Sequence, residues 1–145
     1  MCDPARRAAP TLPPGIDEAR FARALAAFEG IVGAPNVCRG GAALDPYFDP
    51  FVPLADAHAF APSAAILPAS VEEIRAILRV ANDTRVPLWT VSAGRNFAYG
   101  GAAPRLAGSV DLDLQRQNRI LDVDERRAWA PVEPGVSYCE WLAHL

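Results

Sequence analysis

Between Ser92 and Ala102 the chain reads Ser92-Ala93-Gly94-Arg95-Asn96-Phe97-Ala98-Tyr99-Gly100-Gly101-Ala102, a stretch that holds three of the ten glycines. Glycine lacks a Cβ and adopts positive φ without penalty, so such a loop can turn successive backbone N–H groups towards one point and let a phosphate approach closely. Arg95 adds a permanent cation. A P-loop is excluded because it needs Lys-Ser or Lys-Thr after its last glycine, and a Rossmann fingerprint because it needs Gly-x-Gly-x-x-Gly opening a helix. Here five residues separate Gly94 from Gly100-Gly101, and Pro104 disfavours an immediate long helix. On this stretch alone, an anion cradle and a glycine-rich surface turn both remain open.

Few other side chains offer chemistry. Asp111 and Asp113 alternate with Val110, Leu112 and Leu114 and so share one strand face; they can be read as a metal or acid/base pair, but the expected reading is an ordinary solvated face. His58 and His144 are too few and too far apart to ligate a metal. Cys2, Cys38 and Cys139 are odd in number and form no Cys-x-x-Cys, which predicts free thiols, no disulfide framework and no metal site. The fourteen basic residues are all Arg, which removes Schiff-base chemistry from this segment.

Composition narrows the partners. A net charge of −3 with 21% charged residues leaves no basic footprint for nucleic acid. Pro or charge interrupts every apolar run short of the ~20 residues a membrane span needs. The N-terminus is basic at Arg6 and Arg7, but Pro10, Pro13 and Pro14 stand where a signal peptide has its apolar core. The expected location is cytoplasmic or periplasmic. Apolar residues at 51% of 145 support one packed domain.

The elements that must hold the glycine stretch follow from periodicity. Phe21, Leu25, Phe28 and Val32 are spaced as one helix stripe over 17–32, stopped by Gly33 and Pro35. From Asn36 to Pro62 no period is sustained, so an extended loop is expected, with Tyr47 to Phe60 lining a site or crossing an interface. Ala64 to Leu67 reads as a buried strand. Ser70 and Glu73 form a capping box, opening a helix whose core face is Val71, Ile74, Ile77, Leu78 and Ala81 and which Pro87 ends. Leu88 to Val91 is a second strand, so the unit is a βαβ crossover with parallel strands, and the glycine loop leaves from a strand's carboxyl end, where such sheets bind ligands. Downstream come a half-exposed strand over 109–114, a hairpin flanking Glu125-Arg126-Arg127 with Pro131 limiting its second strand, the tight turn Glu133-Pro134-Gly135-Val136, and a second capping box, Ser137 with Glu140. The chain stops barely two turns into that last helix, which reads as a cut.

With these residues in place, Pro62 to Leu145 resembles the N-terminal part of the FAD-binding domain of oxidoreductases in the vanillyl-alcohol oxidase and 4-cresol dehydrogenase (p-cresol methylhydroxylase) family. Carrying the resemblance are Pro68-x-Ser70-Val71-Glu72-Glu73-Ile74, Pro87-Leu88-Trp89, Gly94-Arg95-Asn96-x-x-Tyr99-Gly100-Gly101-Ala102-Ala103-Pro104-Arg105, Gly108-Ser109-Val110-x-Leu112-Asp113, Asn118-Arg119-Ile120-Leu121 and Val132-Glu133-Pro134-Gly135-Val136-Ser137-Tyr138. Tyr47-Phe48-Asp49-Pro50-Phe51 leans towards the 4-cresol dehydrogenase and eugenol hydroxylase side. The sequence departs at Gln117, where Met is expected, and at Pro131, where an aliphatic residue is usual.

The resemblance implies an α+β fold, the N-terminal part of a PCMH-type FAD-binding domain, with a βαβ unit followed by mixed or antiparallel strands. It divides the chain into a helix and extended lead-in over 1–61 and an FAD-binding domain over 62–145, incomplete at its C-terminus. It implies FAD as cofactor, held by Ser92, Gly94, Arg95, Asn96, Phe97, Ala98, Gly100 and Gly101 at the diphosphate and by Glu133, Pro134 and Gly135 near the ribityl chain or flavin ring. Tyr99 would hold a phenolate oxygen while hydride leaves a para-alkyl carbon, giving a quinone methide that adds water. The implied partners are a small phenol, a cytochrome c subunit or oxygen as electron acceptor, and further copies of the complete protein; the family's flavin-attachment residue falls outside the chain, and this chain alone should not turn over. Two alternatives stay open: a non-catalytic nucleotide-binding module, and a structural subunit in which the loop is only a turn.

Overall fold

The computed structural model describes residues 11–48, 59–92 and 101–145. Helix α1 is Glu18–Val32, and its N-terminus is fixed by Asp17, whose carboxylate accepts from the Arg20 N–H at 2.7 Å. Gly33 closes it at φ 83, a left-handed conformation that glycine adopts without strain, and Pro35 prevents further winding. The stripe read from the sequence, Phe21, Leu25, Phe28 and Val32, is buried, and Ala24 joins it.

Helix α2 is Val71–Thr84. The Ser70 hydroxyl accepts from the Glu73 N–H, as expected, but the Glu73 carboxylate turns one residue further back, to the Ala69 N–H at 2.7 Å. Its inward face is narrower than predicted. Ile77 and Ala81 are buried and Ile74 and Val80 pack against the core, whereas Val71 and Leu78 are exposed. Contact with α1 covers only one side of the helix, so the two outer positions of the apolar arc stay wet.

Four strands form one sheet: β1 (Val37–Cys38), β2 (Ala64–Ile66), β3 (Leu88–Val91) and β4 (Val110–Asp113), in the order β1-β2-β4-β3. β1 pairs antiparallel with β2, and β4 pairs parallel with both β2 and β3. The predicted strand-helix-strand unit is therefore present, with β4 inserted between its two strands. The expected structureless run after Asn36 is corrected in its described part: it holds β1 and a 3-10 helix, Gly41–Tyr47. Residues 49–58 lie outside the described residues.

One face of the sheet carries Val37, Ala64, Ile66, Leu88, Val110 and Leu112, which pack with α1 and α2 into the main core. A fully buried side chain of the size of Phe28 contributes about 2–3 kcal/mol by removal from water. The opposite face carries Cys38, Ala65, Trp89 and Val91, closed over by Leu44, Tyr47 and Phe48 from the 3-10 segment and its end and by Ala102.

That second cover overturns one expectation. Asp111 and Asp113 do share a face, but it is not solvated: Asp111 is 0% and Asp113 4% exposed. The remaining chain, from Asn118 on, runs through isolated bridges, Ile120 with Val132 and Asp124 with Trp129, into α3 (Tyr138–His144). No continuous strand forms where Pro131 lacks its N–H, as the sequence suggested.

Candidate functional site at the carboxyl edge of the sheet

The three parallel strands end side by side at Ile66, Val91 and Asp113, and the glycine stretch departs from the end of β3 at Ser92. Both ends of that stretch are anchored in the second cluster, through Val91 before it and Ala102 after it. Ser92 is exposed and Gly101 half-buried. Gly94, Arg95, Asn96, Phe97, Ala98, Tyr99 and Gly100 lie outside the described residues.

The second segment singled out from the sequence comes to the same edge. After β4 the chain turns, with the Gln117 N–H donating to the Leu114 carbonyl at 2.9 Å, and the Gly135 N–H donates to the Gln117 carbonyl at 2.7 Å. A Cβ on Gly135 would stand 2.6 Å from the Gln115 carbonyl oxygen and 2.7 Å from that of Gln117. The glycine is thus required by the protein's own backbone, and it presses Glu133-Pro134-Gly135 against the turn that follows β4. Glu133 is committed to Arg119: its Oε1 accepts from Nη2 at 2.6 Å and Nε at 3.0 Å, and its Oε2 accepts from the Arg119 backbone N–H at 2.9 Å. These hydrogen bonds hold the Glu133 carboxyl below its ordinary range.

Beneath this edge the second face of the sheet carries polar groups that sequence reasoning did not connect. The Tyr47 hydroxyl donates to Asp113 Oδ2 at 2.7 Å, and Gln115 donates to both Asp113 oxygens, from its backbone N–H at 2.9 Å and its side chain at 2.8 Å. Burial, then the bond to Asp113, pushes the Tyr47 hydroxyl far above its ordinary range. Asp111 lies in the register row Cys38, Ala65, Asp111, Trp89. Neither Asp111 oxygen has a hydrogen-bond partner, and burial followed by the neighbouring Asp113 charge pushes its carboxyl up to about 8. Burial also raises the Cys38 thiol, with Asp113 adding to the effect.

Two buried donors, Trp89 Nε1 and Gln117 Nε2, are likewise without a partner. Gln117 was marked in the sequence only as a departure from an expected Met. Among the described residues no cluster of three or more His, Cys, Asp or Glu side chains could hold a metal ion, Cys38 and Cys139 are free, and no helix is long and apolar enough to cross a membrane.

Comparison with known proteins bears on what binds here. Residues 62–145 match the family model described as an FAD binding domain. The chain is 39% identical over 134 residues to the 4-cresol dehydrogenase [hydroxylating] flavoprotein subunit of Pseudomonas putida, covering 92% of this chain and 26% of that one. The crystal structure of p-cresol methylhydroxylase with substrate bound superposes with a TM-score of 0.87 at 36% identity, and 4-ethylphenol oxidase from Gulosibacter chungangensis, in complex with isoeugenol, with 0.86 at 41%; each covers 92% of this chain and 26% of the other. The chain spans about a quarter of the length of these relatives.

Proposed function

Because the chain belongs to the FAD-binding domain family, we propose that it is the dinucleotide-binding part of a flavoprotein oxidoreductase acting on para-alkylphenols. The observation that carries this reading is agreement across nearly the whole chain with cresol and ethylphenol enzymes, in sequence and in backbone.

The residues suit the cofactor. The glycine stretch leaves a parallel strand at its carboxyl end, the position at which such sheets receive a dinucleotide diphosphate, and the buried amide of Gln117, in the turn after β4, lacks a protein acceptor, which fits an oxygen-rich ligand at this edge. In this reading the backbone amides from Ser92 to Gly101 hold the diphosphate with Arg95 as counter-charge, while Glu133, Pro134 and Gly135 line the path of the ribityl chain with their backbone. The Glu133 side chain, already bound to Arg119, steadies that segment.

Bound FAD would supply a two-electron acceptor for hydride from the para-alkyl carbon of a phenolate, and the quinone methide so left would add water. The chain's own contribution is Tyr99, whose hydroxyl donates to the phenolate oxygen and stabilises the charge there. A cytochrome c subunit or oxygen takes the electrons onward, and the complete protein self-associates.

The test uses the full protein that carries this chain. Loaded with FAD and mixed anaerobically with 4-methylphenol, it should lose the flavin's visible absorption band, and Tyr99→Phe should slow that loss at least tenfold with FAD still bound. Retention of the band with 4-methylphenol, against bleaching by a 2-hydroxy acid, would assign a different substrate class.

A further inference from the structure

Asp111 is fully buried, with no hydrogen bond to either oxygen. Two residues along on the same face, Asp113 accepts three hydrogen bonds and takes up the donors of Tyr47 and Gln115. A carboxylate with no donor beside a second carboxylate is costly to bury, so Asp111 retains its proton while the face is covered. Among the described residues most of the cover comes from the 3-10 segment Gly41–Tyr47, entered through Gly40 and Gly41 at φ 66 and 59 and containing Pro46. The segment is one short peripheral 3-10 helix, held to the sheet through Leu44 and Tyr47, and such an element opens at lower cost than the strands beneath it.

We propose that Asp111 is a pH-sensitive latch beneath this segment: protonated, it lets Leu44 and Tyr47 lie on the sheet; once its proton passes to solvent, the anion draws in water and the segment lifts. The titratable groups facing it among the described residues are Asp113 on β4, Cys38 on β1 and Tyr47 on the segment itself, with half-buried Asp45 alongside; β2 and β3 contribute none.

The direction is fixed by linkage. Asp111 moves from an ordinary value of 3.8 to about 8 when covered, so the covered state is fully favoured below the first value and is lost as pH rises towards and through the second, by up to tenfold per pH unit between them. Val91 and Ala102, which anchor the two ends of the glycine stretch, belong to the same covered cluster. Lifting the segment therefore loosens the loop and weakens dinucleotide binding; this consequence rests on the reading above, whereas the lifting itself does not.

In the full protein that carries this chain, with every tryptophan other than Trp89 replaced by Phe, Trp129 and Trp141 included, Trp89, Asp111's neighbour in register, is the sole reporter. Acrylamide quenching of Trp89 should rise at least threefold between pH 6 and pH 9, and should stay flat with Asp111→Asn, or with Asp111→Val should the amide fail to fold. No rise in the parent, or an equal rise in the variant, overturns the latch. FAD affinity measured over the same range should fall about tenfold in the parent and hold in the variant. Absence of FAD binding at every pH would overturn the cofactor reading and leave the quenching result to decide the latch.

Discussion

Tyr47 and Asp113 lie 66 positions apart, and the tyrosine hydroxyl donates to the aspartate Oδ2 at 2.7 Å in a buried setting. This bond ties the segment before the FAD-binding domain to the central strand, directly beneath the edge from which the glycine stretch departs. The N-terminal lead-in is thus part of the domain's packing: α1 builds the main core and Tyr47 closes the second face.

Removing the hydroxyl should be expensive. Tyr47→Phe leaves Asp113 short of a donor in a buried place, and a hydrogen bond to a charged group contributes about 2 kcal/mol. The urea midpoint should fall accordingly, and an unchanged midpoint would mean that the bond does not hold the segment.

Gly135 has no room for a side chain. With the Gln115 and Gln117 carbonyl oxygens 2.6 and 2.7 Å from where a Cβ would stand, Gly135→Ala must push the Glu133 segment off the turn after β4, at a cost of about 1–3 kcal/mol. Thermal unfolding checks the loss of stability. FAD affinity should fall with it, since the displaced segment borders the loop edge.

Much of this architecture is legible in the sequence because its signals are local. Ser70 and Ser137 announce their helix starts, the spacing of Phe21, Leu25, Phe28 and Val32 announces α1, and the apolar run before the glycines announces β3. The burial of Asp111 and Asp113 is not legible. Alternation shows that they share a face, but the element covering that face is a 3-10 segment more than sixty positions upstream, containing Pro46 and two glycines at its entry and showing neither strand nor helix period. Insertion of β4 between β2 and β3 is hidden for a similar reason, since strand order is a long-range choice. The glycine stretch reads as a candidate ligand loop, and from Ala93 to Gly100 it lies outside the described residues; the buried Gln117 amide shows in the sequence only as an unexpected residue.

Helix α3 depends on its cap. None of its residues is buried, so the reciprocal bonds between Ser137 and Glu140 carry much of its stability. Ser137→Ala costs about 1 kcal/mol, enough to fray a helix of seven residues. Amide exchange at Trp141, which donates to the Ser137 carbonyl at 2.9 Å, should quicken several-fold, and unchanged protection would show that something other than the cap holds α3.

The central claim is that the stretch from Ser92 to Gly101 receives the diphosphate of FAD. Titrating FAD with the full protein that carries this chain while following flavin fluorescence tests it directly. Saturable quenching that Gly100→Val abolishes, because its side chain blocks access to the backbone amides, is the predicted result. Fluorescence unaltered by the protein, or quenched equally by Gly100→Val, would contradict it.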